Sequence, residues 1–186
     1  MSPKIIPTTN EIVLNEDDLI VSKTCLQGNI TYANRQFMEI AGFSEAQLLG
    51  RPHNIIRHPD MPKAVYRLMW QAIREGQEFF GFVKNLTAEG GFYWVFANVT
   101  PDRDEQGQIR GYFSVRRKPS QQAIEAVTPL YRRMCEIEAA GTGNEVMERS
   151  VSCLTNWVQA SGLDYGDLVL HLYRHGYLPV RDAVAS

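Results

Sequence analysis

The chain has 186 residues, 44% of them apolar, 22% charged and 10% aromatic; this fits one domain of ordinary size with an appendage and argues against wholesale disorder. A formal charge of −2 and a pI near 6.1 leave no basic excess, so no nucleic-acid partner is expected. The longest charge-free stretch of the tail, Ser150 to Leu163, is broken by Ser, Thr, Asn and Gln, and nothing approaches the ~18 consecutive apolar residues of a membrane span.

In chain order, residues 1–17 are polar, carry two prolines and an acidic run, Glu16-Asp17-Asp18, at their end, and read as an N-terminal cap or arm. They lack the apolar core and small-residue cleavage site of an export signal. Leu19 to Leu26 reads as a strand, Gln27-Gly28-Asn29 as a turn and Ile30-Thr31-Tyr32 as its return. From Asn34 the period becomes helical, with Phe37, Ile40 and Ala41 on one face and Gly42 as the stop. Residues 44–61 hold short irregular pieces. Pro62 then starts a longer helix, in which Tyr66, Met69, Trp70 and Ile73 share a face, ending at Gly76. Phe79–Leu86, Phe92–Thr100 and Ile109–Arg116 are β-rich runs separated by turn-like segments. The order ββ, helices, βββ predicts an α+β domain, a five-stranded antiparallel sheet with helices on one face.

After Lys118 the composition changes. Residues 18–118 form the expected sheet domain and 119–186 an α-helical C-terminal extension. Residues 1–118 carry 14 basic and 13 acidic residues, against 5 and 8 in the extension. Ser120 caps a short helix to Val127, and Thr128-Pro129 reads as the start of a second running toward Ala140. Gly141 to Asn144 is a linker. Val146–Gln159 and Leu168–His175 are helical, the latter preceded by Asp164 and Asp167 at capping spacing.

Chemistry concentrates in Pro52-His-Asn-Ile-Ile-Arg57-His58-Pro59-Asp60-Met61-Pro62, where prolines restrict the backbone and fix the start of the helix. A cation held beside a helix N-terminus suits an anionic or electron-rich planar ligand. The same residues also read as plain architecture, with Asp60 capping the helix, His58 bonding a carbonyl and Arg57 solvated. A second feature is the alternation that puts Trp94, Phe96 and Asn98 on one strand face, with Asn85 in the preceding strand. Amides on an aromatic face need partners, either loop backbone or the edge of a bound heterocycle.

The pattern Asn34…Pro52-His-Asn…Arg57-His-Pro-Asp-Met-Pro-Lys63…Met69-Trp70…Val83-Lys-Asn85…Tyr93-Trp-Val…Ala97-Asn98 closely resembles the sensory PAS domain of aerotaxis receptors. The resemblance runs from about Asp17 to Arg117 and continues more weakly through Ala126-Val-Thr-Pro-Leu-Tyr131; the Arg-His-Pro-Asp-Met-Pro block is its most specific part. It implies a PAS fold and a cytoplasmic sensor that binds FAD non-covalently and reads oxygen or redox state through the oxidation level of the flavin. It also implies that Asn34, Arg57, His58, Asp60, Trp70, Asn85 and Asn98 serve flavin binding or signalling, with Tyr66 where an aromatic is expected. In the expected arrangement, Asn85 and Asn98 bond the polar edge of the isoalloxazine, Trp70 or Trp94 packs near the ring or its adenine, and Arg57 offsets negative charge.

Other readings stay open. A haem-binding PAS gas sensor would use His53 or His58, though no CxxCH is present. A cofactor-free module would use the sheet and helices for dimerisation. A flavoenzyme is disfavoured, since no nucleophile–base pair stands out beyond the cofactor, and no catalytic or metal residue is expected. Cysteine-adduct flavin chemistry is disfavoured as well: Cys25 lies in the first strand, Cys135 and Cys153 lie outside the sheet domain, and all three read as reduced thiols. His171 and His175, four apart, lack a third ligand. Aerotaxis receptors continue into a membrane anchor and a chemotaxis signalling domain, whereas here 68 residues follow Lys118. Because the chain starts on Met1 and ends on Val180…Ser186 without a tag, the expectation is a stand-alone sensor, and because PAS domains commonly dimerise through flanking helices, the resemblance implies a homodimer. Its output would pass to a separate signalling protein, a chemotaxis receptor or kinase system or another transducer.

Overall fold

The computed structural model describes residues 5–179; the first four residues of the expected arm and the closing segment 180–186 lie outside the described residues. Five strands, β1 (Ile20–Cys25), β2 (Ile30–Ala33), β3 (Phe79–Leu86), β4 (Phe92–Arg103) and β5 (Ile109–Arg117), form one antiparallel sheet in the order β2-β1-β5-β4-β3. Each hairpin is local, and the sheet is closed in the middle by β1 against β5, with Ile20 opposite Arg116 and Cys25 opposite Gly111. Strand β1 approaches so closely there that a Cβ on Gly111 would meet the Thr24 carbonyl oxygen at 2.2 Å.

Between the two groups of strands lie α1 (Arg35–Ala41), α2 (Glu45–Leu48), a 3-10 turn (His53–Ile56) and α3 (Lys63–Arg74). Asn34 is the N-cap of α1, and Gly42, at φ 71°, ends it as its spacing predicts. Phe37, Ile40 and Ala41 of α1 and Leu48 of α2 pack with Ile20, Ile30, Ala33, Tyr93, Val95 and Ala97 into one core, which defines the inner face of the sheet. The N-terminal arm belongs to this core. Leu14 is buried in it, and the backbone of the arm bonds the start of β4 through Ile12 N–H to the Phe92 carbonyl (2.8 Å) and Phe92 N–H to the Asn10 carbonyl (2.9 Å).

The rest of the chain is helical: α4 (Gln121–Ala139), α5 (Asn144–Ser161) and α6 (Tyr165–His175). One expectation is corrected. The helix break at Thr128-Pro129 does not occur, and Pro129 sits inside a continuous α4. Ala123, Val127, Leu130, Tyr131 and Met134 form a single buried stripe across the proline. Thr128 donates its hydroxyl to the Ile124 carbonyl (2.7 Å), and this packing and bonding outweigh the lost backbone bond.

Two compact units result. One holds the residues up to Pro59 with Gln71–Lys118, and the other holds Asp60–Trp70 with the chain from Pro119 onward. The division runs through α3, which nothing in the sequence signals.

Candidate functional site

Because side chains alternate along a strand, the register decides which residues can meet. In β3 and β4, Asn85 pairs with Tyr93, Val83 with Val95 and Gly81 with Ala97, so Asn85 points to the inner face together with core residues. Trp94 pairs with Lys84 and Asn98 with Phe80, on the outer face. The expectation that Asn85 and Asn98 hold one heterocycle edge together therefore fails geometrically: the sheet lies between them. Asn98 instead donates to the Glu78 carboxylate at 3.1 Å.

The inner face carries an unexpected polar set. In β5 the inward positions include Tyr112, Ser114 and Arg116, and opposite them in β1 lie Ile20, Ser22 and Thr24. Arg116 is 4% exposed. Its guanidinium donates to the Ser22 hydroxyl and, at 2.8 Å, to His53 Nε2. It also lies 5.1 Å from the Phe37 ring centroid, and Phe37 in turn stacks on His53 at 5.8 Å. An Nε2 that accepts from arginine must be the unprotonated nitrogen, so the proton sits on Nδ1. Burial first, and then the neighbouring Arg116 charge, push the His53 pKa down to about 3, and the ring stays neutral. Beside this cluster, Ser114 Oγ is buried and has no hydrogen-bond partner among the described residues.

The proline-rich segment meets the sheet at its β3 edge. Arg57 forms an isolated antiparallel backbone bridge with Asn85, which brings two expected site residues together. His58, the next residue, is buried with its ring edge-on to Phe92 at 5.9 Å, and Phe92 lies on the outer face, so the segment straddles the sheet edge. Asn34 is used structurally: its side-chain oxygen accepts from Phe37 N–H and Val21 N–H, both at 3.0 Å, and its NH₂ donates to the Leu19 carbonyl at 2.7 Å.

The remaining expected residues, Asp60, Tyr66 and Trp70, lie on the segment grouped with the helical unit. Asp60 is exposed, and its carbonyl accepts from the Cys135 thiol at 3.3 Å. Tyr66 belongs to a tyrosine cluster with Tyr131 and Tyr165. Burial, and then these neighbours, hold the Tyr131 hydroxyl well above the usual phenol range.

Sequence reading missed Ser22, Ser114 and Arg116, and considered His53 only as a haem ligand. The available signal was the alternation Tyr112, Ser114, Arg116 in a strand whose other positions are Phe113 and Val115. As a haem ligand, His53 would have to surrender the nitrogen that Arg116 holds.

Residues 30–116 match the family model described as the PAS fold, and with the five-stranded sheet this makes the sheet unit a PAS sensor domain. The light-state structure of the blue-light photoreceptor Aureochrome1 LOV shares that fold, with a TM-score of 0.52 over 59% of this chain and 87% of that one, at 24% identity. Within the class, the chain is similar to the aerotaxis receptor of Escherichia coli (strain K12), at 40% identity over 134 residues, 72% of this chain and 26% of that protein. The nitrogen fixation regulatory protein of Klebsiella pneumoniae is 31% identical over 105 residues, 56% of this chain and 21% of that protein. The chain thus spans about a quarter of the length of these relatives or less. Among the described residues no helix is long and apolar enough to cross a membrane.

Proposed function

We propose that the inner face of the PAS sheet binds FAD non-covalently, and that the protein is a cytoplasmic, non-enzymatic redox or oxygen sensor. It would work as a homodimer and report to a separate signalling partner, in the manner of aerotaxis. The observation that carries this reading is the Ser114 hydroxyl, buried and unpaired on the inner face between Arg116 and the core. An unpaired buried hydroxyl costs roughly 1–3 kcal/mol, which a ligand acceptor or donor placed there would remove. The donor set suits a flavin: an amide at Asn85, a guanidinium at Arg116 and a hydroxyl at Ser114 match a heterocycle edge that both donates and accepts. The 40% identity to an aerotaxis receptor supports the same choice.

When bound, the flavin would supply reversible oxidation and reduction. The chain's own residues define what a change of ligand charge would meet. Arg116 is a fixed cation, and its hydrogen bonds to Ser22 and His53 keep it aimed inward. His53 stays neutral and adds no competing charge. Asn85 stands two strands across and four residues along from Arg116, roughly 15–17 Å away, so the two would grip different parts of the ligand. Arg57, bridged to Asn85, would close that end; His58, Asp60, Tyr66 and Trp70 follow in the chain and would act through the position of this segment.

The test is a visible absorption spectrum of the purified protein, before and after dithionite under nitrogen. A two-band flavin spectrum that bleaches is expected. Asn85→Ala should lower flavin content at least about tenfold, the worth of one well-made hydrogen bond to a buried group, whereas Asn98→Ala on the outer face should leave it within about twofold. A sharp Soret band, or a colourless protein that refuses added FAD, would overturn the proposal.

A further inference from the structure

The first turn of α3 is capped from outside its own sequence. Two of its N–H groups, Lys63 and Ala64, donate to the two carboxylate oxygens of Glu138 near the end of α4, at 2.7 and 3.0 Å. Helix starts leave such groups unpaired unless a cap supplies an acceptor. This turn has no acidic residue of its own and opens on a lysine, the wrong charge for the positive end of a helix. The Glu138 oxygen that accepts from Ala64 also accepts the hydroxyl of Ser150 in α5, at 2.8 Å, and Ser150 is fully buried. A single carboxylate thus joins three helices. Two further links run alongside it: Arg67 pairs with Glu148 of α5 at 2.6 Å, and Cys135 bonds the Asp60 carbonyl at 3.3 Å. The ion pair is solvent-exposed and contributes little, so the buried end of the network sits at Glu138.

We infer that Glu138 is a latch between the Asp60–Pro62 segment and the helical extension, and that the α4–α5 hairpin is the element that reads the sensor. The segment runs directly into the capped turn, so a displacement of its backbone is delivered to Lys63 and Ala64. Because the Ala64 bond shares its acceptor with Ser150, a shift that breaks one loosens α5 from α4. Glu138 is a positioning residue: it touches no ligand and acts through α3. The coupling is reciprocal, so the state of the extension biases ligand binding by the same factor as the ligand biases the extension. The direction of signalling rests on the flavin reading above; the latch rests on the helical unit alone.

The test is hydrogen exchange by mass spectrometry on the full chain, as purified and after dithionite, with flavin content read by absorbance on the same samples. In Glu138→Ala, amide exchange in peptides spanning 60–68 should accelerate about tenfold, the effect of a lost cap, and peptides around Ser150 should accelerate with them. Glu138→Gln keeps one acceptor oxygen and the side-chain shape, and should give a smaller increase with a normal thermal melt, which guards against an alanine variant that fails to fold. Reduction of the wild type should change both peptide sets. In Glu138→Gln the change should persist in 60–68 and fade around Ser150. Unchanged exchange at 60–68 in both variants, or a reduction signal that reaches Ser150 undiminished, would overturn the latch. If the protein neither carries nor takes up flavin, the absorbance rejects the flavin reading; loosening of 60–68 without loosening around Ser150 would then reject the latch separately.

Discussion

The two faces of the central sheet are held by different physics. Outside, neighbouring strands cohere through aromatic rings: Phe82 opposes Phe96 at 5.3 Å, Phe80 stacks on Phe96 at 5.9 Å, and the Lys84 ammonium lies 4.2 Å from the Phe92 centroid. Inside, an apolar floor is interrupted by Arg116, Ser22, Ser114 and Asn85, all buried. Cross-strand rings gain stability from contact and area and need no exact partner. Buried polar groups gain little for the fold and lose much when unpaired. A sheet that carries both divides its labour, with cohesion on one side and, under the function proposed above, recognition on the other.

That division can be broken from either side. The largest effect is expected from Phe82→Ala: about 3–4 kcal/mol lost in urea unfolding, from a side chain 1% exposed, with flavin content per folded molecule unchanged. A parallel loss of flavin would show that the faces are not independent. Arg116→Met should cost less, about 2 kcal/mol, because Ser22 and His53 are left without their donor while the cost of burying a charge is relieved; flavin content should fall with it. The smallest effect at neutral pH belongs to His53→Gln, which keeps an acceptor for Arg116 but does not titrate. In the wild type the folded-state pKa lies near 3, below the ordinary 6.5, so the unfolded chain binds the proton first as pH falls. Stability from this group is complete above about pH 6.5 and is lost progressively toward pH 3. The difference between wild type and variant should therefore change by up to about 1.4 kcal/mol per pH unit across that window and stay flat above it, as unfolding midpoints measured from pH 7 to pH 4 would show.

Much of the fold was legible in the sequence because it is written in local signals. Gly42, Asn34, Ser120 and Asp164 end or begin helices where their chemistry requires, and the five strands lie between recognisable turns. The faces were not legible, because alternation gives two faces without saying which face of the next strand continues each one. Here five residues, 87–91, connect Leu86 to its partner Phe92, so odd positions pair with odd ones, and Asn85 parts company with Asn98. Arg57 and Asn85 were each expected at the site through family resemblance, but their pairing was not; what unites them is a backbone bridge, to which no side-chain pattern points. Pro129 misled for a related reason: a local breaker was outweighed by a buried stripe that only tertiary packing creates.

The N-terminal arm changes where this domain can be said to begin. Thr8 N–H bonds the Gly90 carbonyl at 2.8 Å, and a Cβ on Gly90, at φ +89°, would stand 2.1 Å from the Ile6 carbonyl oxygen. Farther along, Leu14 fills the core. A boundary drawn at Asp18, where the expected sheet domain starts, would remove a wall of the core along with the arm. Gly90 in the 87–91 turn, 82 residues from Thr8 in the chain, is therefore part of how the arm folds, and the arm and that turn accept or refuse substitutions together.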